Sequence, residues 1–500
     1  MLLLLALLVA VPSHVHAQEP DEAALDALTL AEPEAPPDEQ PPAPALPEAA
    51  LQPEPVLAPR DDLAVRTPEG TATPPPEPPA PWSPVYTGSY FTRYELRDGF
   101  DDLGISRGRF TEGDAFHYRV RFGLSTGLLD VGEGIQVALQ VTPQATGTFG
   151  DRGPNTIVDT QLGLHEGYAR VQGKHVRFDA GRYELVYGDA LMIGNNDWNE
   201  VGRTFDGLRM RIGQRDWLDL FANVIDEGRP DFVGAGKGDY YFLGAYAALG
   251  QLVHDRLEQV SELDLYLLAR VWGEATTDEG AQRERAQELT LGARAKGRFG
   301  GRYDYRTETG MQAGTRAGTI PDEPIRVDAT RALAWQGDVE LGATVVRERL
   351  RVALELLYAT GAKPNGRGRN RGWEDLFPSG HKWLGLADAF NQDGQKRTNV
   401  GSAVLHVTAT PHARVTVQFD AHVFARPEPT EVGGARGFAG GELDSSVSYL
   451  IARGLKARLL YALFVPSADL YSDAVPPTML QRDPDPAQYF EAELRYDLVP

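Results

Sequence analysis

From about Ser83 to Asp497 the chain runs through eighteen segments of alternating side-chain polarity, and the connections between them are short and long in strict succession. Successive side chains of a strand point to opposite faces. In Gly207-Leu208-Arg209-Met210-Arg211-Ile212, Leu208, Met210 and Ile212 share one face while Arg209 and Arg211 share the other. A soluble sheet would bury the apolar face; a membrane barrel turns it to lipid and lines a wet lumen with the arginines. Short connections fall near 130–134, 172–174, 213–216, 251–258, 300, 347, 411–413 and 454. Long loops lie near 98–114, 146–162, 188–202, 226–236, 274–285, 312–327, 361–399, 426–437 and 466–485. Short turns at one end, long loops at the other and an even strand count describe an all-β fold, a closed antiparallel transmembrane β-barrel of about 18 strands over residues 83–500.

Other segments repeat the alternation. Tyr118, Val120 and Phe122 oppose Arg119 and Arg121; Ile135, Val137, Leu139 and Val141 oppose Gln136, Gln140 and Thr142; Val415, Val417 and Phe419 oppose Thr416, Gln418 and Asp420. Tyr94, Tyr118, Tyr187, Tyr303, Tyr358 and Tyr496 fall on the apolar face and suit the interfacial girdles of a barrel, although tyrosine is also a good strand former anywhere.

The rest of the chain agrees with export across an inner membrane. The apolar run Leu2 to Val11, followed by Val15-His16-Ala17, reads as a signal peptide over residues 1–17. No later apolar stretch is long enough for a membrane helix, so a spanning role falls to strands. Cysteine is absent, which removes disulfides, thiolate metal sites and a lipid-anchor cysteine. Residues 18–82 form a disordered Pro/Glu-rich segment: 18–80 hold 17 of the 36 prolines, with 14 acids against Arg60 and Arg66. Its 63 residues, if fully extended at about 3.1 Å each, reach on the order of 195 Å into the periplasm. It serves either as a tether to periplasmic export-complex proteins or as a plain solvated spacer. The remaining 83–500 region carries 47 bases against 57 acids, so overall charge gives no nucleic-acid binder.

Inside the expected barrel the charges are uneven. Arg119, Arg121, Arg170, Arg177, Arg209 and Arg211 point inward, with Asp179 the clear opposing acid, whereas Glu442, Asp444, Lys456, Arg458, Glu491, Glu493 and Arg495 make the far side mixed. Guanidinium groups stay charged and offer planar donors to carboxylate or phosphate. The wall therefore reads as an anion path, and the plainer alternative is that its arginines pair with lumen acids and stiffen the barrel.

One stretch is more specific. Gly181-Arg182-Tyr183-Glu184-Leu185-Val186-Tyr187-Gly188-Asp189, then Ile193-Gly194-Asn195-Asn196-Asp197-Trp198, then Gly202-Arg203-Thr204-Phe205-Asp206-Gly207-Leu208 resemble the alginate export family of outer-membrane proteins, with Tyr183 where the family pattern has Gln. The resemblance extends to His381-Lys382-Trp383-Leu384-Gly385-Leu386-Ala387-Asp388 and to Gly441-Glu442-Leu443-Asp444. It implies an eighteen-stranded barrel in the outer membrane of a Gram-negative bacterium, with an arginine-lined pore that passes an anionic exopolysaccharide, alginate or a similar polyuronate. Carried over, Arg182 and Glu184 sit before the signature loop and Arg203 and Asp206 after it, as a pore contact or as a clamp on the loop. With them, Arg119, Arg121, Arg177, Arg209 and Arg211 complete the expected substrate-binding set. Parity changes between Ala180 and Tyr183 if Tyr183, Leu185 and Tyr187 face outward, so a β-bulge is expected at Gly181 and Arg182, turning Arg182 and Glu184 into the lumen.

Catalytic signatures are missing, with no H-E-x-x-H, G-x-S-x-G or Walker loop, so no enzyme is expected. No cofactor is expected either, apart from oxygen ligands for Ca²⁺ offered by Asp388, Asn391 and Asp393 before Gly394, a pattern that also fits an ordinary polar turn. The expected partners are the anionic polysaccharide, outer-membrane lipid and lipopolysaccharide. Two other functions share parts of this reading. One is a substrate-specific or general anion porin, which needs a loop folded inward; the other is a secreted β-rich polysaccharide-binding protein, which needs the apolar faces in a core.

Overall fold

The computed structural model describes residues 84–100, 113–149, 161–226, 239–276, 282–317, 326–327, 330–347, 349–362, 369–390, 397–429, 437–467 and 485–498. The expected signal peptide (1–17) and Pro/Glu-rich segment (18–82) lie outside these residues, as do Asn391 and Asp393 of the calcium expectation.

Eighteen strands form the wall: β1 (Val85–Asp98), β2 (Gly113–Ser125, continued by Leu129–Gly132), β3 (Ile135–Thr148), β4 (Gln161–Gln172), β5 (Val176–Tyr183), β6 (Phe205–Gly213), β7 (Trp217–Asp226), β8 (Tyr240–Ala248), β9 (Val260–Trp272), β10 (Ala286–Phe299), β11 (Tyr303–Arg316), β12 (Thr330–Val346), β13 (Leu350–Ala359), β14 (Val400–His412), β15 (Val415–Arg426), β16 (Gly437–Ala452), β17 (Leu455–Pro466) and β18 (Ala487–Leu498). Each pairs antiparallel with the next, and β1 closes the ring on β18 with Gly88 opposite Leu498 and Asp98 opposite Gln488. Closure leaves no free edge. Among the described residues the short connections expected from the sequence are tight turns, except 251–258, where a one-turn helix (Gly250–His254) lies.

The faces decide what surrounds the barrel. Leu208, Leu291, Leu341 and Leu356 are 50–62% exposed on the outside, while Arg93, Arg119, Asp179 and Glu355 are fully buried within. That is the inverse of a soluble sheet, and it overturns the secreted, soluble alternative. Tyr303, Tyr358 and Tyr496 are exposed on the outer face.

Two local expectations fail. Pairing runs regularly through Gly181, with Tyr168 opposite Gly181 on one side and Gly207 on the other, so no bulge occurs there and Arg182 faces outward. Gly181 is glycine for another reason: at φ 129° a Cβ would lie 2.3 Å from the Gly167 carbonyl oxygen. The extra residue sits one hairpin earlier. Register shifts between Thr142 and Pro143, which face Glu166 and Leu164, so His165 is inserted and its side chain turns into the barrel. Proline cannot donate to the ladder and marks such irregularities. Tyr187 is likewise no girdle residue. It is buried in the lumen, stacked 4.2 Å from Tyr246.

Candidate functional site

The lumen is crossed by two chain segments, 184–204 between β5 and β6 and 369–390 between β13 and β14. They pair with each other: Phe377 donates its N–H to Met192 O (3.0 Å), Gly194 to Phe377 O (2.8 Å) and Ser379 to Ala190 O (3.0 Å). Their apolar side chains, Leu185, Leu191, Met192, Ile193, Trp373, Leu376 and Phe377, pack against inward aromatics of the wall such as Phe205, Phe221, Phe242 and Tyr266. The barrel thus has a core inside it, a plug.

Arginines hold the plug by its backbone. Arg93 donates to the Trp198 carbonyl (2.7 Å), Arg119 to the carbonyls of Asp197 and Asn199 (3.0 and 3.1 Å), Arg121 to that of Val201 (3.0 Å) and Arg97 to that of Ala387 (3.2 Å). Asp197 is the hub. Its carboxylate meets Arg119 (2.9 Å), Arg121 (2.7 Å) and Arg495. Burial alone would raise the Asp197 carboxyl, but Arg119, Arg495 and Arg121 outweigh it and hold the group well below the usual carboxylate range. Elsewhere Asp189 bonds Arg294 (2.7 Å), Trp198 stacks on His381 at 3.9 Å, and Arg397 joins Asp375 (2.7 Å) to the Leu191 carbonyl. Glu442 and Asp444 of β16 accept from the N–H groups of Ala387 (2.8 Å) and Leu386 (3.2 Å).

Toward the short-turn end the wall is wetter and less evenly paired. Asp179 is approached by Arg170 (2.6 Å), Arg209 (2.7 Å) and Arg177 (3.4 Å), and Asp219 by Arg211 (2.6 Å). Four guanidinium groups therefore face two carboxylates, and the side chains of Arg170, Arg177 and Arg211 keep 23–26% of their surface open. Across the lumen a cavity of about 340 Å³ is bounded by Asp197, Trp198 and Lys382 of the plug and by Lys456, Arg458, Glu493 and Arg495 of the wall.

The expected site residues thus separate into groups. Arg119 and Arg121 face the lumen but are spent on the plug. Glu184, just past β5, does face inward, bonded to His165 (2.7 Å) and Asn195 (3.1 Å). Arg203 acts as the clamp, reaching the carbonyls of Gly194 (3.2 Å) and Pro378 (2.7 Å), one on each plug segment; burial, opposed by the charge of Asp375, lowers its pKa to about 10. Arg182 and Asp206 form a bidentate pair (2.7 and 2.6 Å) on the outer face, away from the lumen, because regular pairing puts both on the parity of Leu208. Arg177, Arg209 and Arg211 face the vestibule beneath the plug. Of the calcium ligands, Asp388 bonds His381 at 2.8 Å.

Sequence reasoning missed the second plug segment, Asp219 and Asp197. A signal existed for the plug. Trp217-Leu218-Asp219-Leu220-Phe221 and Tyr240-Tyr241-Phe242-Leu243 are apolar on both faces, the pattern of strands covered on both sides.

The family model described as Alginate export matches residues 160–482. The chain belongs to the alginate export family. It is an outer-membrane channel, not an enzyme, with its short turns in the periplasm and its outer face in lipid. No curated protein matches the sequence. Among solved structures, OccK5 (OpdH) of Pseudomonas aeruginosa superimposes with TM-score 0.54 at 10% identity, covering 83% of this chain and 98% of that one. OpdK of the same organism gives 0.53 at 13% (83% and 99%), and OccK2 (OpdF) in complex with glucuronate gives 0.52 at 11% (83% and 98%). At these identities the likeness concerns the barrel fold.

Proposed function

We propose that this member of the alginate export family conducts a carboxylate-bearing polysaccharide of the polyuronate class out of the periplasm. The observation that carries the reading is the excess of guanidinium over carboxylate around Asp179 and Asp219, at the periplasmic mouth where such a polymer enters. Partly hydrated arginines there raise the local anion concentration without binding tightly, and conduction needs contacts weak enough to release. Arg458, Glu493 and Arg495, which bound the cavity, supply a mixed opposite wall, which keeps the polymer from sticking to both sides.

The inward-folded plug favours a second reading, a selective porin for small carboxylates. The cavity of about 340 Å³ is at the lower end of small-molecule sites, and OpdK and OccK2 have been solved with vanillate and with glucuronate. Planar-bilayer recording separates the two. A polyuronate exporter prefers Cl⁻ over K⁺ at low salt and is blocked by polyuronate from the periplasmic side at lower uronate concentration than by glucuronate. Equal block per uronate residue points to the porin, and cation selectivity removes both.

A further inference from the structure

The wall formed by β15 and β16 contains a second cluster, which the single plug contact of Asp444 explains only in part. Asp420 and His422 of β15 and Asp444 of β16 each place a ligand atom within 4.8 Å of the others. His422 is 3% exposed, and neither ring nitrogen makes a hydrogen bond. Its Nε2 stands 3.2 Å from Asp444 Oδ2 without bonding it. Asp444 Oδ1 and Oε2 of the neighbouring Glu442 meet no N–H or O–H donor, the two carboxylates lying in contact with each other, although Asp444 Oδ2 accepts from Leu386 N–H. Among the described residues no arginine or lysine forms an ion pair with Asp444 or Glu442, in contrast to Asp179, Asp197 and Asp219.

Buried polar atoms without partners are costly, and carboxylates gathered round a dry imidazole call for a cation. We propose that Asp420, His422 and Asp444 bind a divalent transition-metal ion of the zinc class, as three protein ligands. One imidazole among carboxylates favours such an ion over Ca²⁺ or Mg²⁺, which take oxygen alone. The 3.2 Å between His422 Nε2 and Asp444 Oδ2 matches the edge, about 3.3 Å, of a tetrahedral site with metal–ligand bonds near 2.0 Å. His406 supplies the outer support, bonding Asp420 Oδ1 through Nδ1 at 2.6 Å, as a carboxylate ligand is commonly held. The bound ion would fix Asp444 where it receives the Leu386 amide, and so brace the plug segment 369–390 from the wall. The site stands whatever the channel carries.

The test uses the full-length barrel, refolded in detergent, stripped with EDTA and titrated with Zn²⁺ by calorimetry, with Co²⁺ absorption as the spectroscopic probe. One Zn²⁺ per chain is expected, with a Co²⁺ ligand-field band that His422→Ala and His422→Asn both lose while heat-modifiable migration shows them folded. If the His422 variants do not fold, Asp420→Asn is read in the same way. Wild-type protein that takes up no Zn²⁺ above background, or a folded His422 variant that takes up as much, overturns the site and leaves the carboxylates sharing a proton instead.

Discussion

Arg119 and Arg211 are the same residue type on the same face of the same wall, and they do different work. Arg119 lies under the plug, its side chain fully buried between Asp197 and two carbonyls, whereas Arg211, near a periplasmic turn, keeps 26% of its side chain open beside Asp219. Near the plug the guanidinium is a structural donor in a dry network, where loss of one partner strands the others. In the vestibule it is a hydrated charge whose field reaches the solution. What covers an arginine, more than which way it points, sets its role in this channel.

Four measurements can break or sharpen that contrast. The largest effect belongs to Asp197→Ala, which leaves Arg119, Arg121 and Arg495 facing one another; removing one member of a buried ion cluster typically costs about 3–5 kcal/mol. The plug should relieve this by shifting, so single-channel conductance should rise several-fold. An unchanged conductance would show that the plug does not depend on this hub.

Next comes the double variant Arg177→Gln, Arg211→Gln. It should move the reversal potential toward cations at low salt, with the shift fading as ionic strength rises, since the Debye length is about 10 Å at 0.1 M. Conductance should change little. Glutamine is the informative substitution because glutamate would set a new acid beside Asp179 or Asp219. Wild-type selectivity in this variant would mean that the vestibule arginines do not shape the field.

The third is a pH profile. The folded-state pKa of Asp197 is depressed, so its stabilisation of the plug is present above the ordinary aspartate value of about 3.9 and is lost as pH falls through the lower folded value. Conductance of the wild type should therefore hold steady from neutral pH to about 4 and rise only below it. Asp197→Asn should lack this acid-induced step; a step that survives in the variant belongs to another group.

Arg182→Ala should do least. Its pair with Asp206 lies on the outer face, away from both the plug and the lumen. Heat-modifiable migration should shift slightly and ion selectivity not at all; a change in selectivity would contradict the outward placement.

Much of this was open to a reader of the residues. Alternation has a period of two, so Arg209 and Arg211 had to share a face opposite Leu208, and the rhythm of turns and loops implied closure. Gly181 shows the limit of that logic. Assigning Tyr183 and Tyr187 to lipid because they are aromatic forced an imaginary bulge, whereas both face inward, Tyr183 bonding Asn223 (2.7 Å) and Tyr187 bonding Asp219 (2.9 Å). The real bulge, at His165, was announced by Pro143 in the middle of a strand.

Which face a side chain takes, where strands turn and how many are needed to close a ring are local properties, written in neighbours two to fifteen or so residues apart. Whether an arginine meets water or a carbonyl is decided at longer range. Asp197 reaches Arg121 across 76 positions of sequence and Arg495 across 298, and Trp198 reaches Glu491 across 293. Strand periodicity carries no information about such encounters. Only the closed barrel, by bringing β2, β18 and two long loops into one cross-section, decided that half of a uniform cationic stripe would become a latch and the other half would stay partly open to water.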